Sequence, residues 1–161
     1  MLIHEQLQFW VDQLLATKYR ASALSCECFY PALKGYFPRE YLAQCSYIVV
    51  DELPSPEHFF AKHQIDMPSF VLNSPRRSVT YGKQYFIHND YVEDVAVHLH
   101  ELVHTCQWHV LGSWFLGEFI QQIQEYSIDN APLEIMACEV EHHFRQHGSP
   151  IDVKSLVYSR L

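Results

Sequence analysis

At 161 residues, 48% hydrophobic and 14% aromatic, the chain is sized and composed for a single folded domain over residues 1–161 with a buried core. A formal net charge of −8 argues against a general nucleic-acid binder, and only Arg76-Arg77 and the chain ends bring basic residues together. No run approaches the roughly eighteen apolar residues of a membrane span, and no segment is polar and biased enough to read as disordered.

The opening stretch, MLIHEQLQFWVDQLLATKYR, does not read as a secretory signal. It lacks a basic start, and Glu5, Gln6, Gln8 and Asp12 interrupt any apolar run. The 5 cysteines are odd in number and form no obvious framework. Together these features lead us to expect free thiols and a cytoplasmic location, with export by a specialised secretion route still compatible. Leu7, Trp10, Val11, Leu14 and Leu15 share one helical face and predict a helix over residues 2–18 packed on the core. Its polar face is not basic, which speaks against a membrane anchor.

Cys26-Glu27-Cys28 follows. A CxC pair can bind metal, but no second Cys/His pair lies at ligand spacing nearby, so ordinary thiols are expected. Pro31, Gly35 and Pro38 mark turns, and residues 38–45 predict a short helix with Pro38 at its first position. Ser46–Val50 (SYIVV) reads as a strand, ended by Pro54 and Pro56. A helical turn is expected over 57–63, a second short strand over Phe70–Leu72 and a loop over Ser74–Arg77. Val79–His88 reads as strand, turn, strand, with Gly82-Lys83 at the tip.

Asn89-Asp90 signals a helix start, and the pattern predicts a helix from about Tyr91 to Val110, closed by Gly112. A second helix is expected from about Ser113 to Tyr126, with Phe115, Phe119 and Ile123 at spacing four. After a loop at Ser127–Ala131, Pro132 fits the first turn of a third helix running to about His147, ahead of Gly148 and Pro150. Residues 151–161 predict one more short helix. The fold class expected is α+β, mostly helical with a small antiparallel sheet.

The stretch Val95–Trp108, VAVHLHELVHTCQW, carries the chemistry. His100-Glu101-Leu102-Val103-His104 matches HExxH. On a helix the two histidines are one turn apart on the same face, so both imidazoles can grip one zinc ion. Glu101, beside the first of them, can hold and deprotonate a water on the metal. The apolar flanks Val95, Val97, Leu99, Leu102 and Val103 suit a helix buried on most sides. His98, two positions before His100, is turned to roughly the opposite side.

A catalytic zinc site takes a third protein ligand and keeps one position open. Glu134 is our choice, just inside the third helix after the Asn130-Ala131-Pro132 turn. The helix between lets the chain double back, so that the third helix faces the first. Glu141, His142 and His143 are the other candidates. Glu141 lies seven positions after Glu134, on nearly the same face, and is better placed to orient a ligand than to be one.

At these residues the chain resembles a small gluzincin-type zinc metallopeptidase. It is most similar to the compact bacterial peptidase domains found alone or with contractile injection systems. Those domains share a threonine-glycine strand, HELVH followed by Gln, a helix with Gly and Phe, a Tyr, and an Asn-Pro-x-Glu-x-x-Ala turn. Here stand Thr80-Tyr81-Gly82, His100–His104, Gln107, Gly117, Phe119, Tyr126 and Asn130-Ala131-Pro132-Leu133-Glu134-Ile135-Met136-Ala137. The resemblance covers roughly residues 78–142. Two departures stand out: Ala131 separates Asn130 from Pro132, and Cys138 occupies the position where larger gluzincins carry an Asp that orients a ligand histidine.

The resemblance implies a zincin-like fold with an active-site helix and a downstream ligand helix. It implies Zn2+ held by His100, His104 and Glu134, and an edge strand within residues 79–88 for the substrate. The expected activity is hydrolysis of a peptide or protein substrate by metal-activated water, with Glu101 as general base and Tyr126 as a candidate donor to the oxyanion. The rival expectation is a non-proteolytic zinc-binding interaction or immunity-type protein on the same fold. The two differ in whether Cys138 or another fourth side chain closes the metal's coordination.

Overall fold

The structure, a computed structural model, describes residues 2–17, 19–55, 61 and 76–161. The turn expected over 57–63, apart from Ala61, and the strand expected over Phe70–Leu72 lie outside the described residues, as do Ser74 and Pro75 of the expected loop. Helix α1 covers Ile3–Thr17, close to the predicted span. After β1 (Leu24–Ser25) come two short helices, α2 (Tyr30–Leu33) and α3 (Arg39–Gln44), and then β2 (Ser46–Val50). Pro38 stands just before α3, at its N-cap position, rather than at its first helical position.

Strands β3 (Ser78–Tyr81) and β4 (Gln84–His88) form the expected hairpin, with Tyr81 opposite Gln84. Gly82 has φ +69°, and Lys83 is not among the residues of positive φ. That is the sign pattern of a type II′ turn, which favours Gly at its first central position. The sheet order is β1-β2-β4-β3.

The sheet is mixed, which corrects the antiparallel sheet expected from the sequence. Its central pair, β2 with β4, is parallel, with Ser46 opposite Gln84 and Val50 opposite His88. A parallel pair needs a crossover of about a dozen residues or more, and the chain between β2 and β4 supplies it. Sequence neighbours β3 and β4 form a hairpin, which leaves β3 on the sheet edge among the described residues.

Tyr85, Phe86 and Ile87 of β4 are all buried because both faces of the sheet are covered. On one face Trp10 and Tyr19, in and after α1, meet Tyr81 and Phe86 edge to face. On the other face Tyr85 and Ile87 join the main core.

That core is built around α4 (Val95–Leu111), in which every residue from Ala96 to Trp108 is buried. Asp94 caps the helix, its side chain accepting from the Ala96 amide at 3.1 Å. Asn89-Asp90 instead starts a single 3-10 turn, so the helix begins four residues later than the sequence reading. Gly112, at φ +55°, ends it as expected.

Helix α5 (Phe115–Tyr126) returns along α1 and α4, and α6 (Pro132–Arg145) packs along α4. The last helix, α7 (Val153–Arg160), buries Val153 and Val157 in the same core. No helix among the described residues is long and apolar enough to cross a membrane.

Candidate metal centre

Three side chains predicted from the sequence meet between α4 and α6. His100 Nε2 lies 3.1 Å from one carboxylate oxygen of Glu134, and His104 Nε2 lies 3.1 Å from the other. The two Nε2 atoms are 3.2 Å apart. Two ligands held about 2.0–2.1 Å from a tetrahedral metal lie roughly 3.3 Å from each other. The three groups therefore stand at nearly the spacing a shared cation imposes.

The way α6 enters explains where Glu134 falls. Ala131 at the helix start has no side chain able to cap it. Gln122 of α5 takes over that role, its Oε1 accepting from the Leu133 amide at 2.8 Å. The preceding turn runs through Ser127 at φ +70°, a conformation uncommon outside glycine.

Gln107 fixes the ring of His104. Its Nε2 donates to the Leu133 carbonyl at 2.9 Å, and a carbonyl can only accept. The amide oxygen must then face His104 Nδ1, 2.7 Å away, and that nitrogen carries the proton. A neutral His104 is left with its Nε2 lone pair aimed at Glu134 and His100. A lone pair facing a carboxylate oxygen calls for a proton or a cation between them.

Glu141 holds the other ring. Its Oε2 lies 2.9 Å from His100 Nδ1. The contact is an ion-pair distance rather than an aligned hydrogen bond, since buried Nδ1 has no in-line acceptor among the described residues. Arg77 grips both oxygens of Glu141 at 2.9 Å each, and Arg145 joins Glu141 to Asp94, the cap of α4. Charged side chains thus tie the strand side, the start of α4 and the middle of α6 to His100.

The electrostatics favour positive charge at this place. Burial alone would lower the His100 pKa, but Cys138, Glu134 and Glu141 around it raise it well above the ordinary histidine value. Burial alone would raise the Glu134 carboxyl, yet His100 and His104 in their protonated forms hold it well below the usual range. Glu141 is likewise held down, against burial, by His100, Arg77 and Arg145.

Glu101 is buried beside His100. Ser78 Oγ donates to one of its oxygens at 2.5 Å, and Thr80 Oγ1 donates to the other. Both hydroxyls come from edge strand β3, two residues apart and so on one face. Cys138 also belongs to the neighbourhood. Its Sγ lies 3.9 Å from Glu134 Oε1, and the ligand atoms of His100, Glu134 and Cys138 all lie within 4.8 Å of one another. Two overlapping trios thus share His100 and Glu134, and the trio completed by His104 is the tighter.

The remaining candidates fall elsewhere. His98 is buried on the sheet side, between the Tyr85 hydroxyl at 2.7 Å and the Val92 carbonyl at 2.8 Å, as its position on the helix predicted. His142 is exposed, and His143 contacts the Ser149 carbonyl at 2.6 Å. Tyr126 is 46% exposed at the end of α5, with Glu125 beside it raising its pKa, and is not hydrogen-bonded to the cluster. Cys26 is buried and Cys28 exposed, both as free thiols.

The sequence assigns no roles to Arg77, Ser78 or Gln122, and none to Thr80 or Gln107 beyond their places in a motif. Only the alternation of Ser78 and Thr80 hints at a shared polar face. No protein-family model matches this chain, and no curated protein or solved structure matches it either.

Proposed function

We propose that the chain is a zincin-like, gluzincin-type metallopeptidase that binds one Zn2+ through His100, His104 and Glu134 and hydrolyses peptide bonds. The observation that carries this reading is the convergence of two imidazole nitrogens and a carboxylate at 3.1–3.2 Å. The inward lone pair that Gln107 imposes on His104 strengthens it. Nitrogen and oxygen donors on two helices are a donor set typical of catalytic zinc.

When bound there, zinc would supply Lewis acidity and make a water nucleophilic near neutral pH. The chain's own groups do the rest. Glu141 and Gln107 orient the two imidazoles. Glu101, with Ser78 and Thr80 steering its oxygens, takes the proton of the attacking water and delivers it to the leaving amine. Strand β3, last in the sheet order among the described residues, is a place for an extended peptide to pair by β-augmentation.

The test is metal content after loading and gel filtration, combined with hydrolysis of a peptide library. One equivalent of zinc in the parent, lost in His100→Ala and His104→Ala, supports the reading. Equal zinc in parent and both variants overturns it.

A further inference from the structure

Helix α4 presents His100 and His104 one turn apart, and α6 presents Glu134 and Cys138 one turn apart. The two pairs face each other where α6 packs along α4. Three of the four groups are the ligands proposed above. The fourth, Cys138, places its sulfur within 4.8 Å of the ligand atoms of His100 and Glu134, a group that does not extend to His104. A tetrahedral metal with a thiolate ligand at about 2.3 Å and a carboxylate oxygen at about 2.0–2.2 Å separates sulfur from oxygen by roughly 3.6 Å. The Sγ to Glu134 Oε1 distance of 3.9 Å is within a few tenths of an ångström of that value.

We infer that Cys138 is a fourth ligand that plugs the open position of the metal site, and that removing or modifying its thiol opens the site to water. The inference rests on the metal reading of the preceding section. On binding, a sulfur–metal bond forms and the thiol proton passes to solvent. Two neutral imidazoles, one carboxylate and one thiolate neutralise a divalent cation, whereas the three-ligand set leaves one positive charge. A closed set of four protein ligands is the structural kind of zinc site, and three ligands with one vacancy the catalytic kind. Cys138 is the only member of the four at an exposed position. Reagents therefore reach the plug from solvent while the other ligands stay buried or half-buried.

Cobalt(II) loading tests this without relying on activity. The parent should show a thiolate-to-cobalt charge-transfer band in the near ultraviolet, and Cys138→Ser should lose that band while still binding cobalt through the other three ligands. Zinc should also slow alkylation of Cys138 by iodoacetamide, a reaction that forms a sulfur–carbon bond and releases iodide and the thiol proton. Peptide hydrolysis should be higher in Cys138→Ser than in the parent. A cobalt spectrum without the charge-transfer band, with alkylation indifferent to zinc, overturns the plug and leaves the three-ligand site standing. Retention of the band and the metal in His104→Ala overturns the four-ligand arrangement, because sulfur would then replace that histidine. Failure of parent and Cys138→Ser alike to bind zinc or cobalt defeats the metal reading itself.

Discussion

Glu141 Oε2 stands 2.9 Å from His100 Nδ1, and both oxygens of that carboxylate are gripped by Arg77. The pair links a proposed ligand to a partner seven residues beyond Glu134 on α6, and through Arg77 to the start of the edge strand. A carboxylate behind a ligand histidine orients the ring and raises its basicity. Loss of such a partner typically weakens metal affinity about 10- to 100-fold. Glu141→Gln should therefore lower zinc affinity by that factor, as read by competition with a chromogenic chelator. Arg77→Lys should weaken it less, since one contact to Glu141 survives.

Gln107 gives a separable prediction on the other ring. Gln107→Glu keeps an acceptor for His104 Nδ1 but loses the donor to the Leu133 carbonyl. Gln107→Leu loses both. Leaving buried polar partners unsatisfied costs about 1–3 kcal/mol. Chemical denaturation of the metal-free protein should show Gln107→Leu destabilised by that amount. Its zinc affinity should also fall, because nothing then fixes the tautomer of His104.

These two contacts show what the sequence can and cannot reveal. Helix periodicity puts His100 and His104 on one face from local spacing, and the Pro132 helix start puts Glu134 ahead of Glu141, His142 and His143 as the third candidate. Glu141 was legible in the same way, by its seven-residue interval from Glu134. Arg77, Ser78 and Thr80 were not, because their partners lie 64, 23 and 21 residues away in the chain. Strand pairing decides which residues of β3 face α4. The parallel pairing of β2 with β4 was hidden for a related reason, since it depends on the path of the crossover rather than on either strand's composition. At the start of α4, Asn89-Asp90 and Asp94 carry equally good capping chemistry. The fold uses Asp94, whose carboxylate accepts from the Ala96 amide and pairs with Arg145.

Metal removal should destabilise the fold. A ligand that binds only the native state adds about 2.7 kcal/mol at a hundredfold excess over its Kd. For a domain of this size that corresponds to a rise of roughly 5–10 °C in Tm. Thermal unfolding with zinc, and again with excess chelator, should differ by that amount. In His100→Ala the difference should vanish.

The pH dependence of stability should carry a contribution from Asp152. It caps α7, accepting from the Ser155 amide at 3.1 Å and the Ser155 hydroxyl at 2.9 Å. The Ser155 backbone and side-chain hydrogen bonds depress its folded-state pKa. A depressed carboxylate stabilises the fold above its unfolded pKa of about 3.9 and loses that stabilisation as pH falls through its lower folded value. Removing a cap of this kind costs about 0.5–2 kcal/mol, and Asp152 is exposed enough to place it at the lower end. Asp152→Ala should unfold more easily than the parent at pH 7, with the gap closing as the pH drops below 4. A gap that stays constant down to pH 2 would show that the carboxylate charge is not its source.

Glu101→Gln separates an enzyme from a zinc-binding protein. Glutamine is nearly isosteric with glutamate, and Glu101 lies outside the proposed ligand set, so bound zinc should be retained at one equivalent. Of the Ser78 and Thr80 hydroxyls, one can still donate to the remaining carbonyl oxygen while the other accepts from the amide nitrogen, which keeps the edge strand seated against α4. The amide cannot accept the water's proton, so the chemical step loses its base. General acid–base assistance is worth about a hundred- to ten-thousand-fold in rate. The substitution should therefore abolish hydrolysis of an unfolded protein or peptide library, through kcat rather than KM. The comparison is made in the parent chain and again with Cys138→Ser, so that a plugged metal does not hide the loss. Equal rates with and without Glu101 would mean that the hydrolysis comes from elsewhere. Silence in the Cys138→Ser chain, with zinc at one equivalent, would favour a zinc site that binds partners and cuts nothing.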